Sequence, residues 1–251
     1  MGKIIAVVNQ KGGVGKTTTA VNLTAALKEA GKRVLLCDFD PQANATSGLG
    51  LDKRHLRHSV YDVIINNIPA KDAIVHTDFG DVLPSTADLA GAAVELISVA
   101  SPNYRLRDAL ATIKDQYDLI FIDCPPSLEL LTLNSLCAAD SILVPVQCEY
   151  YALEGLTDLM TTLRMVKKHL NPRLDIFGVV LTMFDGRTNF STQVAQEVRR
   201  HFPGKVYATA VPRNVRLAEA PSHGLPIMAY DRHSRGAQAY RSIAQEIIHK
   251  L

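Results

Sequence analysis

The chain has 251 residues, 47% of them apolar and 21% charged, with 15 Gly, 12 Pro and a formal net charge of +2. Such a composition excludes disordered, collagen-like and low-complexity chains, and it supplies ample apolar residues for a large core. The four cysteines form no C-x-x-C pair, no apolar run approaches the ~18 residues of a membrane span, and Met1-Gly2-Lys3 leads straight into a strand-like run, so a cytoplasmic protein with buried thiols is expected.

Residues 4–8 read as a first strand, apolar on both faces. They are followed by Asn9-Gln10-Lys11-Gly12-Gly13-Val14-Gly15-Lys16-Thr17-Thr18 and a helix-period segment over 17–30. Strand, glycine-rich turn and helix in that order are the setting of a phosphate-binding loop. Gly12, Gly13 and Gly15 let successive backbone N–H groups turn inward, at the positive end of the following helix. Lys16 is then placed for the β- and γ-phosphates and the Thr17 hydroxyl for a Mg²⁺ ion. The strict G-x-x-x-x-G-K-[ST] pattern is not met, because Gln10 stands where its first glycine belongs. The form present is K-G-G-x-G-K-T. It adds a second cation, Lys11, at the mouth of the loop, able to fold onto its own nucleotide or to reach one held by a second subunit.

A second strand over 34–37 ends in Asp38-Phe39-Asp40-Pro41-Gln42. Two carboxylates one residue apart at a strand end share an edge. Asp40 is the candidate for orienting the attacking water, and Asp38 for the metal shell or the loop. Helix capping is the plainer alternative for either aspartate. The stretch 46–99 is the least regular, broken by Gly, Pro, Asn and His, and its pattern does not fix helix boundaries. Beyond it come a helix over 106–116, a strand over 119–122 closed by Asp123, a helix over 128–138, a strand over 142–146, a helix over 153–170, a strand over 176–181, a helix over 193–202, a strand over 206–211 and a helix over 236–250. Asp123, at the carboxyl end of a continuous apolar strand, is placed to hold Mg²⁺ through water. This alternation predicts one α/β domain over 1–251, a mostly parallel twisted sheet with helices on both faces.

The loop, together with Asp38-Phe39-Asp40-Pro41-Gln42-Ala43-Asn44-Ala45-Thr46 and Asp123-Cys124-Pro125-Pro126-Ser127, resembles the deviant Walker A ATPases of the ParA/Soj chromosome-partitioning type, P-loop NTPases of the wider MinD/ParA superfamily. The runs 145–155 and 211–222 resemble that family as well. The resemblance implies an ATP-sandwich homodimer in which Lys11 contacts the partner's nucleotide and Gly12 lies at the dimer contact. ATP is held by Lys11, Gly12, Gly13, Val14, Gly15, Lys16, Thr17 and Thr18, with adenine contacts from Pro212-Arg213-Asn214. Thr17, Asp38 and Asp123 serve Mg²⁺, while Lys11, Lys16 and Asp40 support hydrolysis. It further implies sequence-nonspecific binding of double-stranded DNA by the ATP-bound dimer, and release when a ParB-type centromere-binding partner stimulates hydrolysis, in a bacterial, nucleoid-associated setting.

Charge distribution supports DNA independently. Residues 187–251 carry 10 Lys and Arg against 4 Asp and Glu, whereas residues 1–186 carry 17 against 21. Arg187, Arg199, Arg200, Lys205, Arg213, Arg216, Arg232 and Arg235 are available for phosphates. Arg187, Arg213, Arg216 and Arg235 are the chosen contacts, with Arg187 and Arg216 favoured by family position. No base-reading motif accompanies them, so backbone attraction should dominate. A solvated face with scattered ion pairs is the bland alternative. A MinD-like membrane-associated ATPase is the main rival. Against it, no polybasic stretch follows Ile247-Ile248-His249-Lys250-Leu251, and Tyr240, Ile243, Ile247, Ile248 and Leu251 fit a helix packed on its own core. A nucleotide-gated DNA-binding switch with negligible turnover is the second alternative. An iron–sulfur relative is disfavoured by the missing C-x-x-C. No helix-turn-helix is expected before the first strand.

Overall fold

The computed structural model describes residues 2–127, 129–149 and 152–251. Leu128, which opens the helix expected over 128–138, and Tyr150 and Tyr151 of the 145–155 motif lie outside the described residues, as do the side chains of 152–154.

Seven strands form one sheet in the order β3-β4-β2-β5-β1-β6-β7. Its members are β1 (Lys3–Val7), β2 (Val34–Asp38), β3 (Val75–Thr77), β4 (Gly80–Leu83), β5 (Leu119–Asp123), β6 (Ser141–Gln147) and β7 (Asp175–Thr182). All pairings are parallel except β3 with β4. The expected mostly parallel α/β sheet is therefore the one observed. Side-chain alternation along β1 divides the core: Ile4 and Ala6 enter one buried cluster, Ile5 and Val7 the other. The second cluster holds α1 (Lys16–Glu29) and α12 (Arg235–Ile248) against the sheet, and the first holds α3 (Val60–Ile64), α6 (Arg105–Ala111), α7 (Leu130–Ala138), α8 (Ala152–His169) and α9 (Asn189–His201). No helix among the described residues is long and apolar enough to cross a membrane.

Helix α1 shows which force decides. Its three consecutive threonines lower intrinsic helix propensity by roughly 0.5 kcal/mol each. Leu23 and Leu27 are fully buried against the sheet, each contributing about 1.5–3 kcal/mol, so packing wins. Thr19 completes the docking with a hydroxyl pair to Tyr240 of α12 at 3.2 Å. In α12, Tyr240, Ile243 and Ile247 are buried as expected and Ile248 packs at the margin, but Leu251 is exposed. It lies beyond the last helical turn and has no core to reach.

Three further expectations are corrected. Residues 206–211 run beside β7 but make only isolated bridges, Val179 with Val206 and Phe184 with Pro212. Between the bridges the carboxylate of Glu246 of α12 accepts from the N–H groups of Ala208 and Thr209 at 2.8 and 3.0 Å, so those two donors are not available to β7, while the N–H groups of Tyr207 and Val211 still donate to the Val179 and Leu181 carbonyls. The helix expected over 106–116 stops at Ala111, where the Thr112 hydroxyl donates to the Ala109 carbonyl at 2.7 Å, and a 3₁₀ turn follows over Lys114–Gln116. The irregular stretch 46–99 contains the end of α2 (Asn44–Gly48), α3, α4 (Ala70–Ala73), the β3–β4 hairpin and α5 (Leu89–Glu95). Strands of three and four residues are too short to display an alternation.

Candidate nucleotide site

The carboxyl ends of β1, β2, β5 and β7 bring the candidate residues together, at the edge where open parallel sheets place ligands. The loop after β1 is held in shape by its own neighbours. Asn9 donates its amide N–H to the Pro145 carbonyl at 2.8 Å and accepts from the Lys11 N–H at 3.0 Å. Pro145 is tolerated within β6 because β6 pairs with β1 only over Ser141–Leu143 and then runs on past its end. On the far side, the Thr182 hydroxyl at the end of β7 donates to the Val14 carbonyl at 2.8 Å. Gly15 precedes α1 with φ 91°, a left-handed conformation in which any side chain is strained. No side chain caps α1 and no acidic residue occupies its first turn. Among the described residues no side chain caps the first N–H groups of the helix, which are aligned for an anion.

Lys16 is buried, its ammonium donating to the Lys11 carbonyl at 3.0 Å. Burial lowers its pKa, and the carboxylates of Asp123 and Asp40 pull it back up. Lys11 pairs instead with Glu149 at the mouth of the loop. Gly12 faces open space, since a Cβ there would meet nothing within 4 Å.

Asp38 and Asp123 are register partners on β2 and β5, and both are fully buried. Asp38 is pushed up to about 6, first by burial and then against hydrogen bonds that hold it down. Asp123 is raised further, by burial and by the neighbouring Asp38 charge, with Thr17 and Lys16 opposing the rise. The two carboxylates differ in how they are satisfied. Asp38 Oδ2 accepts from both the backbone and the hydroxyl of Thr46 at 2.7 Å, and Oδ1 accepts from the Asp40 N–H at 3.3 Å. Among the described residues, neither oxygen of Asp123 makes a hydrogen bond of normal geometry. An orphaned, buried carboxylate beside the Thr17 hydroxyl is a donor set that fits Mg²⁺, because a divalent cation removes the cost that raises its pKa. Asp38, with its oxygens already occupied, suits an indirect role beside the ion.

Asp40 is nearly buried and accepts from the Gln42 N–H at 2.9 Å. Cys124 follows Asp123 as a buried thiol whose pKa burial pushes up to about 12, so it is inert as a nucleophile. All four cysteines are buried and free.

The 212–214 segment joins this edge through β7. Pro212 bridges Phe184, two residues beyond Thr182, and Asn214 caps α10 (Val215–Glu219) by accepting from the Arg216 N–H at 2.8 Å. Around it the four chosen arginines are exposed. Arg187 forms a two-point pair with Asp185 at 2.9 and 2.7 Å, and Arg213 acts electrostatically on the same carboxylate. Arg216 pairs with Glu219 at 2.9 Å and approaches Asp231 at 3.7 Å. Arg235 opens α12, whose Gly236 packs against Leu217 and Asn214. Arg200 and Lys205 are engaged elsewhere, with Glu197 and Asp175. Exposed pairs of this kind are worth about 0–1 kcal/mol, too little to withhold an arginine from a phosphate.

Sequence reasoning did not single out Asn9, Thr182, Ser85 or Glu149. A polar residue closing the apolar β7 run could have marked Thr182. Ser85, whose hydroxyl donates to the Asp40 carbonyl at 2.8 Å, sits in the stretch without readable periodicity.

A family model described as an AAA domain matches residues 2–176. The chain is 57% identical over 249 residues to the sporulation initiation inhibitor protein Soj of Bacillus subtilis, with 98% of each chain covered. It is 52% identical over 250 residues to the chromosome partitioning protein ParA of Caulobacter vibrioides, covering 98% of this chain and 94% of that one. Among solved structures, cobyrinic acid a,c-diamide synthase from Mycobacterium smegmatis with bound ADP and magnesium superposes with a TM-score of 0.86 at 39% identity, over 99% of this chain and 95% of that one.

Proposed function

The chain belongs to the Soj/ParA family of chromosome-partitioning ATPases, and from that premise we propose that MgATP, bound at the loop 11–18, pairs two copies into a dimer that binds DNA without reading its sequence. Hydrolysis, stimulated by a ParB-type partner, then releases the DNA. The observation that carries the nucleotide reading is the juxtaposition of buried Lys16, the uncapped start of α1 and the unpartnered Asp123 carboxylate beside Thr17.

The roles follow from the geometry. Backbone N–H groups of Gly12, Gly13, Val14, Gly15, Lys16, Thr17 and Thr18 cradle the phosphates, and the Lys16 ammonium neutralises the β- and γ-oxygens. Thr17 and Asp123 hold the metal, with Asp38 behind them. When bound, Mg²⁺ supplies charge neutralisation for the leaving phosphate. Asp40 accepts a proton from, or orients, the attacking water, and Pro212, Arg213 and Asn214 line the adenine side. Lys11 crosses to the nucleotide of the second copy, exchanging its contact with Glu149 for a triphosphate. One domain over 1–251 carries all of these groups, and the DNA-bound state places the protein on the nucleoid.

Open space at Gly12 supports its place in the dimer contact, since a side chain there costs the monomer no packing. Gly12→Val should fold and bind ATP within about threefold of the parent, yet run as a 27.4 kDa monomer in light scattering with ATP, where the parent runs at twice that mass. An ATP-dependent dimer of the variant would remove Gly12 from the interface.

DNA retention across salt, measured with ATP, ADP and no nucleotide, tests the whole reading. Retention should need ATP and fall steeply with salt. Arg216→Glu should weaken it about tenfold on every sequence alike, and lower the salt slope by about two for a dimer contributing one contact per copy, with ATP binding unchanged. A loss confined to particular sequences would contradict backbone attraction. The apolar face of α12 is spent on the core, which leaves that helix without a face for lipid.

A further inference from the structure

The reaction reading places Asp40 at the attacking water, but nothing in the sequence says what aims it. Its backbone is held from both sides. The Asp40 N–H donates to Asp38 Oδ1 at 3.3 Å, and the Asp40 carbonyl accepts from the Ser85 hydroxyl at 2.8 Å and from the Ala43 N–H at 2.9 Å. One side chain links the two holds. The Thr46 hydroxyl donates to Asp38 Oδ2 at 2.7 Å and accepts from the Ser85 backbone N–H at 3.0 Å. Asp38, Thr46 and Ser85 are all fully buried. Ala43, between Asp40 and Thr46, adopts φ 52°, a left-handed conformation costly for a residue with a Cβ, and the turn it makes brings Thr46 back onto Asp38.

We propose that Thr46 and Ser85 are positioning residues for ATP hydrolysis, a buried hydroxyl brace that fixes the Asp40 main chain and so the direction of its carboxylate. The brace joins three separate pieces of chain: the end of β2, the first turn of α2 and the loop after β4. It requires at position 46 a group that donates and accepts at once, and only a hydroxyl of this size does both. Valine fills the same space but leaves the Ser85 N–H without an acceptor and Asp38 Oδ2 with one donor instead of two. Neither hydroxyl needs to touch the nucleotide, so the effect belongs to turnover rather than to binding. The inference rests on Asp40 being the hydrolytic carboxylate.

The test separates kcat from nucleotide affinity, measured with MgATP and with a fluorescent ATP analogue. Thr46→Val should lower kcat about 10–100-fold, as misplacement of a reacting group does, with affinity within about threefold of the parent. Thr46→Ser should return kcat to within about threefold of the parent. Ser85→Ala, which removes the hydroxyl bond to the Asp40 carbonyl and a longer one to the Thr86 carbonyl at 3.4 Å but keeps the Ser85 N–H bond to Thr46, should lower kcat by a smaller factor, about 3–10-fold. In an Asp40→Ala background, Thr46→Val should slow turnover no further. Unchanged turnover in Thr46→Val, an equal loss of affinity and turnover, or failure of serine to rescue overturns the brace. Should Thr46→Val not fold, full turnover in Ser85→Ala does the same. Parent-like turnover in Asp40→Ala would instead remove the reading on which the brace rests.

Discussion

Replacing Lys16 by Ala should lower ATP affinity by about a hundredfold or more and with it abolish nucleotide-dependent turnover. The side chain is 7% exposed, and among the described residues its ammonium has one hydrogen-bond acceptor, the Lys11 carbonyl of the loop itself, which leaves N–H groups for a ligand. A triphosphate offers them charged oxygens, and each such charge-assisted bond is worth about 1.5–3 kcal/mol. Two of them account for roughly two or more decades of affinity. The same substitution removes the positive charge that interacts with Asp123 and Asp40, and an anionic ligand then approaches two carboxylates without it. Lys16→Arg should not restore binding, because a planar fork cannot occupy the buried place of a point charge. Calorimetric titration with MgATP reads the effect directly. Affinity equal to the parent's would take the phosphate-loop assignment away.

Asp40→Ala should leave ATP bound and stop its turnover. The carboxylate is held by the Gln42 N–H and by main-chain bonds that do not involve its second oxygen, which is the one left for a water. Loss of a general base or water-orienting group costs about 10²–10⁴ in rate. Phosphate release should fall by that factor, while ATP affinity stays within about threefold, since Lys16, Thr17 and Asp123 are untouched. If the proposed cycle holds, the variant should form a dimer that loads on DNA and does not leave, visible as slow dissociation after ATP is withdrawn. Asp40→Asn should behave like alanine, because the amide keeps the shape and loses the acceptor charge. Residual turnover near the parent's would move the water-activating role to another group, and fast DNA release in a hydrolysis-dead variant would uncouple release from hydrolysis.

The candidate nucleotide site could be proposed from the sequence because its chemistry is local. Lys11 to Thr18 are contiguous after β1, Asp38 and Asp123 close the apolar strands β2 and β5, and Asp40 lies two residues past Asp38, a pattern visible one strand at a time. A parallel sheet then forces those three strand ends to one edge without any further information. The 206–211 run was misread because a β-rich composition says nothing about competition for its N–H groups, and Glu246, far along the chain, takes two of them. The β3–β4 hairpin was missed for want of length. The arginines were legible as an excess of charge but not as a group; the Phe184–Pro212 bridge and the packing of Gly236 on Asn214 and Leu217 collect them.

By itself the amino-acid sequence determined the periodicities, the glycine-lined turn and the acidic strand ends, all properties of residues within a few positions of one another. Only the tertiary structure decided which carboxylate is satisfied and which is not. Asp38 and Asp123 look alike as strand-terminal acids, yet Thr46 supplies Asp38 with two donors, whereas among the described residues neither oxygen of Asp123 has a hydrogen bond of normal geometry. Hydrogen-bond satisfaction in a buried site depends on groups brought in from distant parts of the chain, and the free energy of an unpartnered buried charge, which is what draws a cation, exists only once water has been excluded.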